Sequence, residues 1–229
     1  MGIVKKYQAR VVAIHNQIEG VYTIEMESLG KPFKYEPGQF LHLALDEYDP
    51  CGQWPDSRCF SMQSEPNQAI IKITYAVKGE FTCKMEKQLH LGSEITLKLP
   101  YGDMFIRPHN KENTVFISGG TGITPFLSLF NHTSFAEYSN SVLYAGFRNR
   151  SMNLYHAELE MAQKIDTQFR FHLVYQEENG VLNIEEIYKT CNLLTTFFIS
   201  GPPLMISAFK KYLLKQGITE NQIITDDWE

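Results

Sequence analysis

The strongest constraint on this chain is a change of rhythm near residue 110. Before it, runs rich in β-branched and aromatic residues occupy 7–14, 20–27, 40–45, 69–77 and 94–99. A polar segment at 16–19 parts the first two, and turn clusters such as Glu36-Pro37-Gly38, Ser64-Glu65-Pro66-Asn67 and Leu91-Gly92-Ser93 part the others. Short strands at that spacing predict an antiparallel barrel or sandwich. From about residue 113, apolar runs at 114–117, 141–145, 169–175 and 196–199 alternate with helix-like stretches at 124–136, 154–165, 184–188 and 203–215. Strands alternating with helices imply right-handed crossovers and a parallel sheet. The expected architecture is an antiparallel β-barrel domain over 1–110, followed by a parallel-sheet α/β domain over 111–229.

Composition narrows the function without naming it. The 229 residues are 43% hydrophobic and 21% charged, as in an ordinary globular protein. A net charge of −5, with 21 basic against 26 acidic residues, argues against a nucleic-acid groove. Cys51, Cys59, Cys83 and Cys191 follow no C-x2-C spacing, and the seven histidines form no H-E-x-x-H pattern. No metal site is expected, and no cysteine set suits an iron–sulfur cluster. The uncharged stretches at 113–136 and 190–209 are broken by glycine, proline and hydroxyl residues, so neither reads as a membrane span. The first residues lack the apolar run of a secretory signal. Reduced thiols in a cytoplasmic protein are the expectation.

Four motifs carry chemistry. In the first, the apolar run ending at Ser118 enters Gly119-Gly120-Thr121-Gly122, and Pro125 stands at the start of the next helix. Glycines there let a backbone or a ligand approach closely, and a helix start offers free amides. A tight strand–helix turn without a ligand fits equally. In the second, Arg58-Cys59-Phe60-Ser61 lies between Pro37-Gly38-Gln39-Phe40 and Gly79-Glu80-Phe81-Thr82. Arg58 is a guanidinium suited to pyrophosphate, Phe60 a ring for stacking and Ser61 a hydroxyl beside it. Alone, Arg58 is also an ordinary surface charge and Phe60 a core aromatic. The third is Ser200-Gly201-Pro202-Pro203-Leu204-Met205, where a strand meets a helix at the carboxyl edge that binds ligands in doubly wound sheets. The fourth is Trp228, a packing plug or a cover for a flat ligand.

In this order the motifs resemble the ferredoxin–NADP reductase family over nearly the whole chain. The resemblance implies an FAD-binding barrel and a nicotinamide-nucleotide domain. Arg58 would pair with the flavin phosphates, Phe60 would lie against the isoalloxazine, and Ser61, within the stretch that includes Cys59, would hydrogen-bond near N5. The turn at Gly79, Glu80, Phe81 and Thr82 would supply amides and the Thr82 hydroxyl to the pyrophosphate. Ile73, Tyr75 and Val77 would line the strand passing the ribityl chain. Gly119, Gly120, Thr121, Gly122 and Pro125 would form one half of the nicotinamide-nucleotide turn, and Gly201, Pro202 and Met205 the other, with Arg148 nearby. Trp228 would cover the flavin. Ser61, Ser200 and Trp228 are the expected residues of the reacting centre.

Two departures from the family's pattern bear on function. Ser200 stands where members often have cysteine, and no cluster-binding cysteines follow, so electrons must leave to a ferredoxin, flavodoxin, haem protein or diffusible acceptor. Glu177 and Glu178 follow the third parallel strand, where NADP-using members carry basic residues, which favours NADH over NADPH, with Arg148 and Arg150 as possible compensation. The implied activity is an FAD-dependent NAD(P)H oxidoreductase. A free-flavin reductase and a non-catalytic dinucleotide-binding subunit are the alternatives.

Overall fold

The computed structural model describes residues 3–49, 51–66 and 68–226. The chain divides into two compact units, Met1–Asp103 and Met104–Glu229. The division falls before residue 110 because Met104 is buried in the second unit's core and Phe105 packs beside it.

The first unit is a six-stranded antiparallel sheet of β1 (Lys5–Ile18), β2 (Val21–Ser28), β3 (Phe40–Ala44), β4 (Ser57–Ser61), β5 (Ile70–Ala76) and β6 (Glu94–Tyr101). Its order is β4-β3-β6-β1-β2-β5. The end strands curl toward each other: the Gln63 amide, just past β4, donates to the Lys72 carbonyl of β5 at 2.8 Å. The result is a nearly closed barrel whose seam opens between the rest of β4 and β5. Alternate residues such as Ile24, Met26, Leu41, Leu43, Ile73 and Leu97 point inward and are fully buried. Helix α1 (Glu80–Gln88) buries Phe81 and Met85 against this core.

The second unit is a five-stranded parallel sheet of β7 (Thr114–Gly119), β8 (Ser141–Phe147), β9 (Arg170–Tyr175), β10 (Thr196–Ser200) and β11 (Ile223–Thr225), in the order β11-β10-β7-β8-β9. Helices α2 (Thr124–Phe130) and α3 (His156–Ile165) share one core with Phe116 and Phe198. A short α4 (Gln176–Asn179) follows β9, and α5 (Ile184–Lys189) and α6 (Pro203–Lys215) share the opposite core with Val115, Ile117, Phe197 and Ile199. Both faces of β7 and β10 are thus covered, which explains their unbroken apolar runs. The chain winds one way from β7 to β9, then crosses to β10 on the other side of β7. Direction reverses between β7 and β10, the point at whose carboxyl edge ligands bind in open sheets of this kind.

The helix expected over 124–136 stops at Phe130. The Asn131 side chain donates to the Leu127 carbonyl at 2.8 Å, and His132 adopts an extended backbone whose ring accepts from the Ser134 amide. A separate 3-10 turn, Thr133–Glu137, follows. The polar segment at 16–18 belongs to β1, where the Asn16 amide ties the Ile18 and Val21 carbonyls across the hairpin. None of the four cysteines forms a disulfide. Among the described residues, no helix is long and apolar enough to cross a membrane, and no His, Cys, Asp or Glu cluster suits a metal ion.

Candidate functional site

The barrel gathers one group of expected residues at its open seam. Alternation on β4 sends Arg58 and Phe60 to the face of their partners Leu43 and Leu41, which line the core. The Phe60 ring lies 6.0 Å from Tyr75 of β5, which in turn stacks on Tyr22 of β2 at 5.5 Å. Burial raises the Tyr75 hydroxyl far above the ordinary tyrosine range, so it stays protonated. Ile73 is fully buried in the same strand, and the Val77 amide just beyond it donates to the Gly20 carbonyl at 2.8 Å.

Arg58 extends over the Phe81 ring, with its guanidinium carbon 5.3 Å from the ring centre. It also donates to Asp56 Oδ1 and to the Ser57 carbonyl, both at 2.8 Å. Gly79 precedes the first turn of α1, and a side chain there would meet open space. The first-turn amides of Glu80 and Phe81 cannot be reached by carbonyls of their own helix. Guanidinium, aromatic rings and helix start therefore converge at one seam.

Three residues of the same motifs are placed otherwise. The Thr82 hydroxyl turns back on its own loop, accepting from the amides of Lys78 at 3.0 Å and Gly79 at 3.1 Å. It shapes the turn and is not turned outward. Cys59 lies on the opposite face of β4, with its Sγ 3.5 Å from His42 Nε2. Burial, aided by the Lys98 charge, holds the His42 imidazole below the ordinary histidine range. The Glu80 carboxylate pairs with Lys84 at 3.0 Å, one turn along the helix.

At the carboxyl edge of the parallel sheet, the two glycine turns touch backbone to backbone. A Cβ on Gly122 would lie 2.6 Å from the Gly201 Cα, and one on Gly201 would lie 2.9 Å from the Gly119 nitrogen. A Cβ on Gly119 would meet the Pro202 ring at 2.8 Å and Met205 Sδ at 3.2 Å. Gly120 takes φ +56° and Gly201 φ +145°, conformations that suit glycine. Packing of one turn on the other accounts for Gly119, Gly122 and Gly201 without any ligand, and it fixes the shape of this edge. Thr121 accepts the Thr124 hydroxyl at its carbonyl, and Pro125 is buried in the first turn of α2.

Ser200 does not present a free hydroxyl. It is buried, and its Oγ donates to Asp226 Oδ2 at 2.7 Å, tying β10 to the end of β11. Asp226 went unrecognised in the sequence, since nothing in its neighbourhood signals a partner 26 residues upstream. Trp228 lies outside the described residues.

The loops after β8 and β9 are joined. Arg150 Nε and Nη2 donate to the two Glu178 carboxylate oxygens at 2.8 and 2.7 Å, and its guanidinium carbon lies 4.8 Å over the Tyr175 ring. The Glu177 amide donates to the Arg148 carbonyl at 3.0 Å, and Asn149 donates to Glu177 Oε1 at 3.2 Å. The Arg148 side chain is exposed at the same edge.

Comparison with known proteins bears on both units. The sequence model of the Oxidoreductase NAD-binding domain matches residues 116–211, which hold both glycine turns. The chain is 25% identical to the reductase component of propane 2-monooxygenase from Mycolicibacterium smegmatis, over 98% of this chain and 68% of that protein. A ferredoxin NADP+ reductase from Neisseria gonorrhoeae, solved with bound FAD and NADP, has the same fold at a TM-score of 0.82 and 19% identity, covering 97% of this chain and 98% of that one. Over nearly its whole length this chain is similar to ferredoxin–NADP reductase-type reductases. The Amycolatopsis cytochrome P450 reductase GcoB shares the fold at a TM-score of 0.83 and 18% identity, over 98% of this chain and 70% of that one. The matched domain and the reductase-component relative mark the chain as an oxidoreductase with a nicotinamide-nucleotide domain. The chain spans about two thirds of the length of its curated relative.

Proposed function

We propose that this chain takes a hydride from NADH onto a bound FAD and passes the electrons to a separate acceptor. The observation that carries this reading is the convergence of Arg58, Phe60, Tyr75 and the Gly79 turn at the barrel seam. The seam suits a flavin dinucleotide: it offers a guanidinium, helix-start amides and open space for a pyrophosphate, beside an aromatic wall for a flat ring. When bound, flavin supplies the chemistry, accepting hydride at N5 and releasing electrons singly.

The protein's contribution is position. Arg58 would leave Asp56 for the pyrophosphate, and the amides of Glu80 and Phe81 would complete that cradle. Phe60 would flank the ring system while Tyr75 backs it. Ser61, the last residue of β4, would donate a hydrogen bond at N5. In the second unit, the edge formed by the packed Gly119-Gly120-Thr121-Gly122 and Gly201 turns would seat the nicotinamide half, and Arg148 its pyrophosphate. Glu177 and Glu178 support NADH, because carboxylates repel a 2′-phosphate. Ser200, engaged by Asp226, would shape this edge and make no direct contact with the hydride.

The acceptor would be a ferredoxin, a flavodoxin, a haem protein or, as for the propane 2-monooxygenase reductase component, the oxygenase of a multicomponent system. A cytoplasmic location fits the four cysteines, none of which is in a disulfide. Ser61→Ala tests the assignment. The variant should keep its flavin through gel filtration yet be reduced by NADH about tenfold or more slowly under anaerobic stopped flow. An unchanged rate contradicts the role given to Ser61. Flavin lost from wild-type protein on the same column identifies flavin as a substrate, as in a free-flavin reductase.

A further inference from the structure

We propose that Glu178 latches Arg150 away from the nucleotide and so sets the choice between a ribose 2′-hydroxyl and a 2′-phosphate. The inference rests on the nucleotide site proposed above and names the residue pair that would tune it. Two arginines follow β8, and the structure treats them differently. Arg148 is exposed at the sheet edge, where it would meet a pyrophosphate common to both nucleotides. Arg150 is engaged along one edge and on one face of its guanidinium: Glu178 takes two of its donors at 2.8 and 2.7 Å, and the Tyr175 ring centre lies 4.8 Å from its central carbon. A planar guanidinium bound in this bidentate way has a fixed direction and a carboxylate that any other anion must displace.

The surrounding backbone keeps the latch in place. The amide of Glu177 is bonded to the Arg148 carbonyl, and Asn149 holds the Glu177 carboxylate, so α4 is fastened to the loop after β8. The loop beyond α4 is itself seated, with Leu182 lying so close to Gly146 that a Cβ there would come within 2.9 Å of it. An exposed ion pair is weak by itself. Its effect here is competitive. A 2′-phosphate that captured Arg150 would displace Glu178, leaving that carboxylate and Glu177 beside a dianion. A ribose hydroxyl carries no such charge.

Binding of ADP-ribose and of its 2′-phosphorylated counterpart, measured by calorimetry on the purified chain, tests the latch without requiring turnover. Wild-type protein should bind ADP-ribose more tightly. In Glu178→Ala the ratio of the two dissociation constants should shift by about tenfold or more toward the phosphorylated ligand. Adding Arg150→Ala to that variant should abolish the gain. A ratio unmoved in Glu178→Ala, or a gain that survives loss of Arg150, overturns the latch while leaving the site in place. Failure of both ligands to bind any of these proteins overturns the nucleotide site itself, and the latch with it.

Discussion

Gly122 shows how closely residue identity and the shape of the nucleotide edge are linked. Its position admits no Cβ, because the Gly201 backbone occupies that space. Gly122→Ala should therefore destabilise the fold by about 2–4 kcal/mol, read as a lower denaturant midpoint, since neither backbone can yield cheaply. Gly120→Ala is a useful contrast: open space surrounds that position, so only its positive φ is strained, at about 1 kcal/mol. Equal losses in the two variants contradict the turn-on-turn packing. The same scale shows what could be read from sequence. Arg58 and Phe60 were legible because strand alternation places residues two apart on one face. Asp226 and the Glu178–Arg150 pair were not, because each partner lies 26 or 28 residues away and meets only through strand register.

At the level of elements, most strands and helices announced themselves, and the misses have local causes. Helix α6 begins and ends where the sequence suggested, with prolines opening it and a lysine in its last turn. Strand β4 carries a motif but little strand signal, since its five residues include two serines and an exposed arginine at a sheet edge. Helix α2 ran short because Asn131 and His132 bond to nearby backbone, an alternative to helix that periodicity does not register.

The segment entering β7 also carries a pH dependence. The His109 ring packs edge-on against Phe198 at 5.1 Å, and its Nδ1 donates to the Arg107 carbonyl while Nε2 accepts from the Tyr138 hydroxyl at 2.8 Å. Burial lowers its pKa, with the Arg107 carbonyl opposing and Lys111 adding to the shift. As pH falls, the unfolded chain is protonated first, so stability is complete above about 6.5 and declines below it. Denaturant midpoints should drop between about pH 7.5 and about pH 5.5, and His109→Gln should flatten part of that drop. A slope identical in the two proteins contradicts this account.

For the whole molecule, the change of rhythm near residue 110 was the informative signal, and it became two compact units with different sheet chemistry. The barrel supplies a seam of charge and aromatic surface, and the parallel sheet supplies two packed glycine turns at its reversal point. Neither feature alone names a reaction; the NAD-binding domain and the likeness to reductase components point to one, and the partnership of flavin and nicotinamide nucleotide is the function proposed from them. The central claim is that this chain moves a hydride from NADH to its own FAD. Anaerobic mixing of purified, flavin-loaded protein with one equivalent of NADH tests it most directly. The account predicts that the visible flavin band bleaches within the mixing experiment and returns when air is admitted. A band that NADH leaves unchanged, while dithionite bleaches it fully, would contradict the claim.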